Sequence, residues 1–289
     1  MSSMILVQIS DTHIGDADEL VYGQFDTGAA LTSAVNYINN MVPTPDLVIH
    51  TGDITSHGTV ARYERFRELT ASLVAPLVAI PGNHDDRTAM RTALAGTPIL
   101  PLHPIDHSEF LHFTIDDMPV RLICCDSVIA GSTPGEMCED RLSWLDARLN
   151  EAPDRPTIVA LHHPPFYSGM TGSSAKGLKS GGSEFSNLLS LHNNIVRVIA
   201  GHVHRPITTT FGNTIAFAGP TTCYPFDLDM GPERYLNISF EPPSIAIHLW
   251  LDDATPTGPG LVTHVKPVGS WPASIPLLKG GKLVTQPGH

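Results

Sequence analysis

The feature that most constrains this chain is an apolar strand that stops abruptly in a polar turn. Residues 77–80 are apolar, Pro81-Gly82 halts and turns the chain, and Asn83, His84 and Asp85 follow at once. Polar side chains placed directly behind a buried strand are unfavourable unless each finds a partner. Loops mounted on a rigid sheet are also where binding and catalytic groups concentrate. The same arrangement recurs along the sequence. Residues 4–9 lead into Ser10-Asp11-Thr12-His13, and 46–50 into Thr51-Gly52-Asp53. Residues 157–161 lead into His162-His163-Pro164-Pro165, and 196–200 into Gly201-His202-Val203-His204. Helical spacing between these runs predicts helices over 27–41, 59–73, 87–94, 140–149 and 184–192. Further strands are expected at 110–115, 121–125, 214–218 and 246–250. This rhythm predicts an α/β sandwich with largely buried sheets, in which ligands sit outside the carboxyl ends of the strands. The Gly/Ser-rich stretch 168–183 is expected to be mobile, as a lid over substrate or as a tolerated surface insertion. Residues 1–252 are expected to form the main domain, and 253–289 a Pro/Gly-rich C-terminal extension.

Composition narrows the function classes. At 289 residues and 42% hydrophobic content, the chain can bury a substantial core as one large or two small domains. Its formal net charge of −12 argues against a polymeric nucleic-acid binder or an anionic-membrane binder, which needs a basic face. A small phosphate substrate stays possible, because bound metal ions reverse the local field. Fifteen His residues, scattered rather than clustered as a tag, hint at metal. Cys124, Cys125, Cys138 and Cys223 form no CxxC pair, and Cys124 and Cys125 fall on opposite faces of a strand. Buried thiols are expected rather than disulfides or a thiolate zinc site. No basic leader precedes the first strand, and no apolar run approaches about 20 residues. A soluble, reduced, cytoplasmic protein without a membrane span is expected.

The strand-end residues Asp11, His13, Asp53, Asn83, His84, His162, His163, His202 and His204 form one constellation. In extended backbone, Asp11-x-His13 and His202-x-His204 would each point both side chains to one side. The carboxylates offer hard oxygen ligands, and the imidazoles suit Zn, Fe, Mn or Co. There are too many donors for one ion. Two ions sharing a carboxylate would use them, and a two-metal centre suits displacement at phosphorus. Each motif alone has a bland reading, as a cap, a turn or a strand terminus. All five bland readings would have to hold at once, each at the end of a separate apolar strand, so metal is the better account.

Asp11-x-His13, Gly52-Asp53, Gly82-Asn83-His84-Asp85, His162-His163 and Gly201-His202-x-His204 resemble the signature of the calcineurin-like metallophosphoesterases. The blocks are in order over residues 5–204. Tyr22-Gly23, Pro81-Gly82-Asn83-His84-Asp85-Asp86, His162-His163-Pro164-Pro165 and Thr222-Cys223-Tyr224 are similar to bacterial class III cyclic nucleotide phosphodiesterases. The related glycerophosphodiesterases share most of these features. The resemblance implies two mixed β-sheets flanked by helices, and a dinuclear centre of divalent or trivalent transition metals (Fe, Mn, Zn or Co). One metal would be held by Asp11, His13, Asp53 and His204, and the other by Asp53, Asn83, His162 and His202, with Asp53 bridging. His163 would be supporting, and strand alternation would point it away from His162. His84 would stabilise the phosphoryl group or protonate the leaving alkoxide, or else position the Asn83 turn. The catalytic set is thus His84, Asp53 and Asn83.

The implied reaction is hydrolysis of a small phosphodiester, led by 3′,5′-cyclic nucleotides (cAMP or cGMP) going to nucleoside 5′-monophosphates. A glycerophosphodiesterase, or a broad phosphodiesterase or phosphomonoesterase, is the near alternative. A non-catalytic metal-binding scaffold is the alternative of a different class, and it would be expected to have lost ligands. A homo-oligomer formed through the region after Gly219 and the C-terminal tail is implied by the resemblance.

Overall fold

The computed structural model describes residues 3–94, 96–101, 109–170, 172, 177–233, 235–256, 258–270, 276, 278–279 and 282–283. Its centre is a pair of facing mixed sheets. In the first sheet, β1 (Met4–Ile9), β2 (Leu47–His50) and β3 (Leu77–Ala79) run parallel. Beyond β1 lie β12 (Ser244–Thr255) and then β13 (Gly258–Pro267), each antiparallel to its neighbour, so the order is β13-β12-β1-β2-β3. In the second sheet, β5 (Arg121–Cys124), β7 (Thr157–Ala160), β9 (Ile195–Ala200) and β11 (Thr214–Ala218) run parallel. The edges are antiparallel: β4 (Phe113–Ile115) pairs with β5, and β10 (Ile207–Phe211) with β11.

Alternation along the strands builds the layers. Leu122, Cys124, Ile158, Ala160 and Ile199 join the core of the first sheet, whereas Ile123, Cys125, Val159, Val198 and Ala200 pack in a second cluster with Leu145, Leu149, Phe185 and Leu189. Those last four belong to α4 (Glu139–Glu151) and α5 (Gly182–Ser190). The first core also takes in Leu31, Val35, Tyr63, Phe66, Met90 and Leu94 from α1 (Thr27–Asn39), α2 (Val60–Thr70) and α3 (Arg87–Leu94). Cys124 and Cys125 therefore do face opposite sides, and all four cysteines are free thiols.

Three expectations change. Residues 178–180 of the stretch expected to be mobile form β8 (Leu178–Ser180), which pairs with β6 (Gly135–Glu136), and α5 begins at Gly182. Positions 171 and 173–176 of that stretch lie outside the described residues, as do 271–275 and 284–289 of the tail. The strand expected over 110–115 is confined to Phe113–Ile115. Finally, β12 crosses position 252 and β13 extends the first sheet by one strand, so residues beyond 252 contribute to the sandwich. Among the described residues, no helix is long and apolar enough to cross a membrane.

Candidate metal centre

All the parallel strands deliver their carboxyl ends to one edge of the sandwich, and the polar turns converge there. The turn after β1 continues the parallel ladder: Asp11 N–H donates to Gly52 O (3.0 Å) and His13 N–H to Asp53 O (3.0 Å). Its backbone is not extended, however. Asp11 and His13 have φ of 53° and 43°, and His202 and His204 have φ of 72° and 53°. The expectation that extended alternation aligns each Asp-x-His or His-x-His pair is thus corrected: left-handed residues at alternate positions fold both side chains inward. Asp53 is left-handed as well, at φ 54°. Non-glycine residues seldom adopt this region, and its clustering on five candidate ligands marks strain held at a functional site. Two glycines allow the close approach. A Cβ at Gly52 would lie 2.5 Å from His162 Nδ1, and one at Gly82 would collide with the Asp53 backbone N and carboxylate.

The donor atoms form two sets that share one oxygen. In the first, His204 Nε2 lies 3.1 Å from His13 Nε2 and 3.5 Å from Asp11 Oδ1, and His13 Nε2 lies 3.7 Å from Asp53 Oδ2. In the second, His162 Nε2 lies 3.4 Å from that same Oδ2 and 3.3 Å from Asn83 Oδ1, which is 2.9 Å from His202 Nδ1. Ligands at about 2.0–2.1 Å around a tetrahedral ion stand about 3.4 Å from one another, so both sets are spaced for a metal. Tautomers agree. His162 Nδ1 donates to Thr51 O (2.7 Å) and His204 Nδ1 to Tyr224 O (2.8 Å), so each Nε2 is the nitrogen that faces carboxylate oxygen. An imidazole nitrogen facing a carboxylate calls for a cation between them, a proton or a metal ion. Asp53 Oδ1 is taken by the His84 N–H (2.8 Å), which frees Oδ2 to be shared.

Electrostatics point the same way. Burial disfavours the Asp53 carboxylate, but His162 and His13 turn it well below the usual range. Burial also opposes a charged His162, yet Asp53 and Asp11 push it up to about 9. Burial holds His13 well below its ordinary value, lowers His204, and takes His202 down to about 3. Burial raises the Asp11 carboxyl, against the pull of His204. The chain therefore holds a proton at the Asp53–His162 contact and favours neutral imidazoles at His13, His202 and His204, the form in which imidazole ligates. The cleft is lined by His13, Asp53, Asn83, His84, His202 and His204 together with Tyr22, Thr133, Tyr224 and Phe226, with no Lys or Arg among these residues. A phosphate here would need metal charge to hold it. A groove of ≈ 780 Å³ between α2 and residues 73–77 and 97–99 brings no such donor set together among the described residues.

His163 lies near His162 and His202 but is already engaged. Its Nε2 donates to Thr133 O (3.0 Å) and its Nδ1 accepts from Ser127 Oγ (2.8 Å), so both ring nitrogens have hydrogen-bond partners, although with His162 and His202 it also forms a group spaced to hold an ion. Its ring stands edge-on to His162 with centroids 4.8 Å apart. The expected opposite orientation is corrected, because both residues lie beyond β7, where strand alternation no longer applies. His84 is exposed at the rim, with its ring edge-on to His13 and its Nδ1 donating to Ser56 O (3.1 Å).

Two further buried carboxylates position the site. Asp85 is buried and accepts from Ile54 N, Gly82 N and Tyr63 Oη, lashing the Asn83 turn to the Asp53 turn. Asp126 is fully buried and forms a two-pronged pair with Arg87 (2.6 and 2.9 Å), which places Ser127 beneath His163. Asp85 closes the Gly82-Asn83-His84-Asp85 block, but its partners Tyr63 and Ile54, like the Arg87 partner of Asp126, lie 22 to 39 residues away, beyond reach of spacing.

Residues 4–206 match the family model for calcineurin-like phosphoesterases, and the chain belongs to that family. It is 34% identical over 282 residues to a probable glycerophosphodiester phosphodiesterase of Arcobacter nitrofigilis, covering 97% of this chain and 100% of the relative. It is 32% identical over 225 residues to a 3′,5′-cyclic adenosine monophosphate phosphodiesterase of Pseudomonas aeruginosa, covering 78% of each. A dimetal phosphatase from Danio rerio shares the fold, with a TM-score of 0.63 at 13% identity over 92% of this chain and 99% of that one.

Proposed function

We propose that this protein is a dinuclear metal-dependent phosphodiesterase acting on small phosphodiesters. The observation that carries this reading is the pair of donor sets meeting at Asp53 Oδ2. One ion would be held by Asp11, His13, Asp53 and His204, the other by Asp53, Asn83, His162 and His202. Two such ions supply Lewis acidity that activates water and neutralises charge growing on the phosphoryl oxygens. The chain's residues do the rest. Asp53 fixes the spacing of the two sites, and the neutral Asn83 adds a ligand without cancelling positive charge. His84, at the rim and free to meet the substrate, stabilises the phosphoryl group or gives a proton to the leaving alkoxide. The metals are transition ions such as Fe, Mn, Zn or Co, which match an imidazole-rich set.

The leading substrate is a 3′,5′-cyclic nucleotide, in keeping with the activity named for the Pseudomonas relative. A glycerophosphodiester is the second reading, favoured by the end-to-end similarity to the Arcobacter protein. The complete ligand set weighs against a non-catalytic scaffold. A cytoplasmic homo-oligomer fits this reading, with Leu228, Met230, Tyr235 and Phe240 exposed in the segment after Gly219. The deciding assay compares bis(p-nitrophenyl) phosphate with p-nitrophenyl phosphate, using chelator-stripped protein before and after Mn²⁺ addition. Diester hydrolysis should return with metal and exceed monoester hydrolysis. Preference for the monoester would make the protein a phosphatase, and no turnover of either with metal bound would favour the scaffold.

A further inference from the structure

Tyr22 is a residue that neither the core nor the donor sets explain. It and Gly23 are the central pair of a tight turn closed by Gln24 N–H to Val21 O (3.2 Å), Phe25 N–H to Val21 O (3.0 Å) and Val21 N–H to Phe25 O (2.9 Å). Both central residues have positive φ, 53° and 67°. Turns of this kind strongly prefer Asn-Gly, because Asn tolerates the left-handed region and a bulky side chain does not. A tyrosine at the first position is strained, and the strain is not repaid by burial, since Tyr22 is 66% exposed.

The ring's position suggests what the strain serves. Tyr22 lines the same cleft as the donor sets. It meets Tyr224 edge-on at 5.5 Å, and Tyr224 in turn stacks on His13 at 5.3 Å. Phe226 stacks on His204 at 4.0 Å. An aromatic wall therefore runs from the first donor set out to solvent, and Tyr22 is its exposed end. A phosphorus held by the two ions would extend its organic substituent along this wall. A planar group can stack there, a contact worth about tenfold or more in binding for a nucleobase. A polyol has no face to stack and gains little.

We propose that Tyr22 is a specificity-determining residue: its left-handed turn holds the ring as the outer wall of the phosphodiester site, where it selects diesters bearing a planar nucleobase or aryl group over those bearing a polyol. This rests on the phosphodiesterase reading above. The test is Tyr22→Asn, which suits the turn and removes the ring, with Tyr22→Phe as the conservative control. In the Mn²⁺-loaded full chain, Tyr22→Asn should raise the melting temperature by about 2 °C through relief of strain. It should lower kcat/KM for 3′,5′-cyclic AMP about tenfold, chiefly through KM, and lower it less than twofold for glycerophosphoethanolamine. Tyr22→Phe should restore the cyclic nucleotide activity. Equal losses on both substrates, a lower melting temperature, a changed molecular mass by light scattering, or failure of Tyr22→Phe to rescue would each overturn the proposal. If the wild-type chain hydrolyses neither diester, the phosphodiesterase reading falls by itself. Equilibrium binding then decides on Tyr22. Tyr22→Asn should weaken adenosine 5′-monophosphate about tenfold and glycerol 3-phosphate less than twofold, and parallel changes would overturn the assignment.

Discussion

Asp53 and His84 are held together by one hydrogen bond yet should fail in different ways. Asp53 Oδ2 faces both donor sets, so Asp53→Ala removes a ligand from each and leaves the two sites unlinked. Activity should fall about 10³-fold or more, with metal content below two ions per chain by elemental analysis. Near-normal turnover would refute the shared carboxylate. His84 meets the centre through its backbone N–H while its ring stays at the rim, so His84→Ala keeps the bond to Asp53. Turnover should drop about 10²-fold with both ions retained; a matching loss of metal would make His84 a ligand. Protons should also compete with metal at His162, whose value about 9 lies above neutral pH. Below that value metal must displace a proton to bind, so Mn²⁺ affinity should weaken by about tenfold per pH unit as pH falls from 8 to 7. Calorimetric titration at the two values reads this directly, and an unchanged Kd would place the proton elsewhere.

Strand β1 contributes more than its terminal Asp11. Gln8, fully buried on that strand, donates from Nε2 to Thr51 Oγ1 (2.9 Å) and Ala200 O (2.7 Å) and accepts at Oε1 from His248 Nε2 (3.1 Å). Thr263 Oγ1 donates to His248 Nδ1 (2.9 Å), while Thr51 Oγ1 donates to Ser10 Oγ (2.8 Å), which bonds the Asp11 carboxylate. Every hydrogen bond in this line runs one way, from β13 through β12 and β1 to a candidate ligand, and Gln8 ties the two sheets together. Gln8→Leu strands the His248 N–H and takes a donor from Thr51 Oγ1, while Ala200 O keeps the Gly219 N–H (2.8 Å), so stability should fall by about 1–3 kcal/mol in urea titration. Mn²⁺ affinity should fall about tenfold as the Asp11 and His202 turns loosen, and unchanged affinity would confine Gln8 to a packing role. None of this was legible in the sequence, where Gln8 interrupts an apolar run without a motif. What was legible followed from chain order: each ligand stands directly behind the strand that carries it, so strand ends located the site. The left-handed φ values were not legible, because the enrichment of Asp and His in that region is too weak to assign it to particular residues. Strands β10 and β13 also went unseen. Ile207–Phe211 is a half-exposed edge with three consecutive Thr and no apolar alternation, and Gly258–Pro267 earns its strand character only by pairing with β12.

At the scale of the whole molecule, the same burial that shapes the site should make individual buried histidines cost stability in acid. Burial lowers His50 and His248 from 6.5 to about 3, and both are kept neutral by defined partners. His50 Nε2 donates to Thr12 Oγ1 (2.8 Å) while its Nδ1 accepts from Gly52 N (3.2 Å). His248 sits between Thr263 and Gln8. The folded-state value lies below the unfolded one, so below pH about 6.5 the unfolded chain binds more protons than the folded chain. The stability these groups contribute is present above that value and is lost progressively as pH falls toward 3. Integrated from pH 7 to 5, each such histidine costs about 2 kcal/mol. Asp85 works in the opposite sense: burial raises it to about 6, so the folded state takes up a proton there as pH falls and recovers part of the loss. A single pH profile of the wild type mixes these signs, and a difference separates them. In chelator-stripped protein, urea unfolding of wild type and His248→Gln should be measured at pH 7 and pH 5. The wild type should lose about 2 kcal/mol more than the variant over that interval, because only the wild type has an imidazole at 248 to protonate on unfolding. Parallel profiles would show that His248 is reached by protons in the folded state, which would break the one-way line of hydrogen bonds that its neutral tautomer anchors.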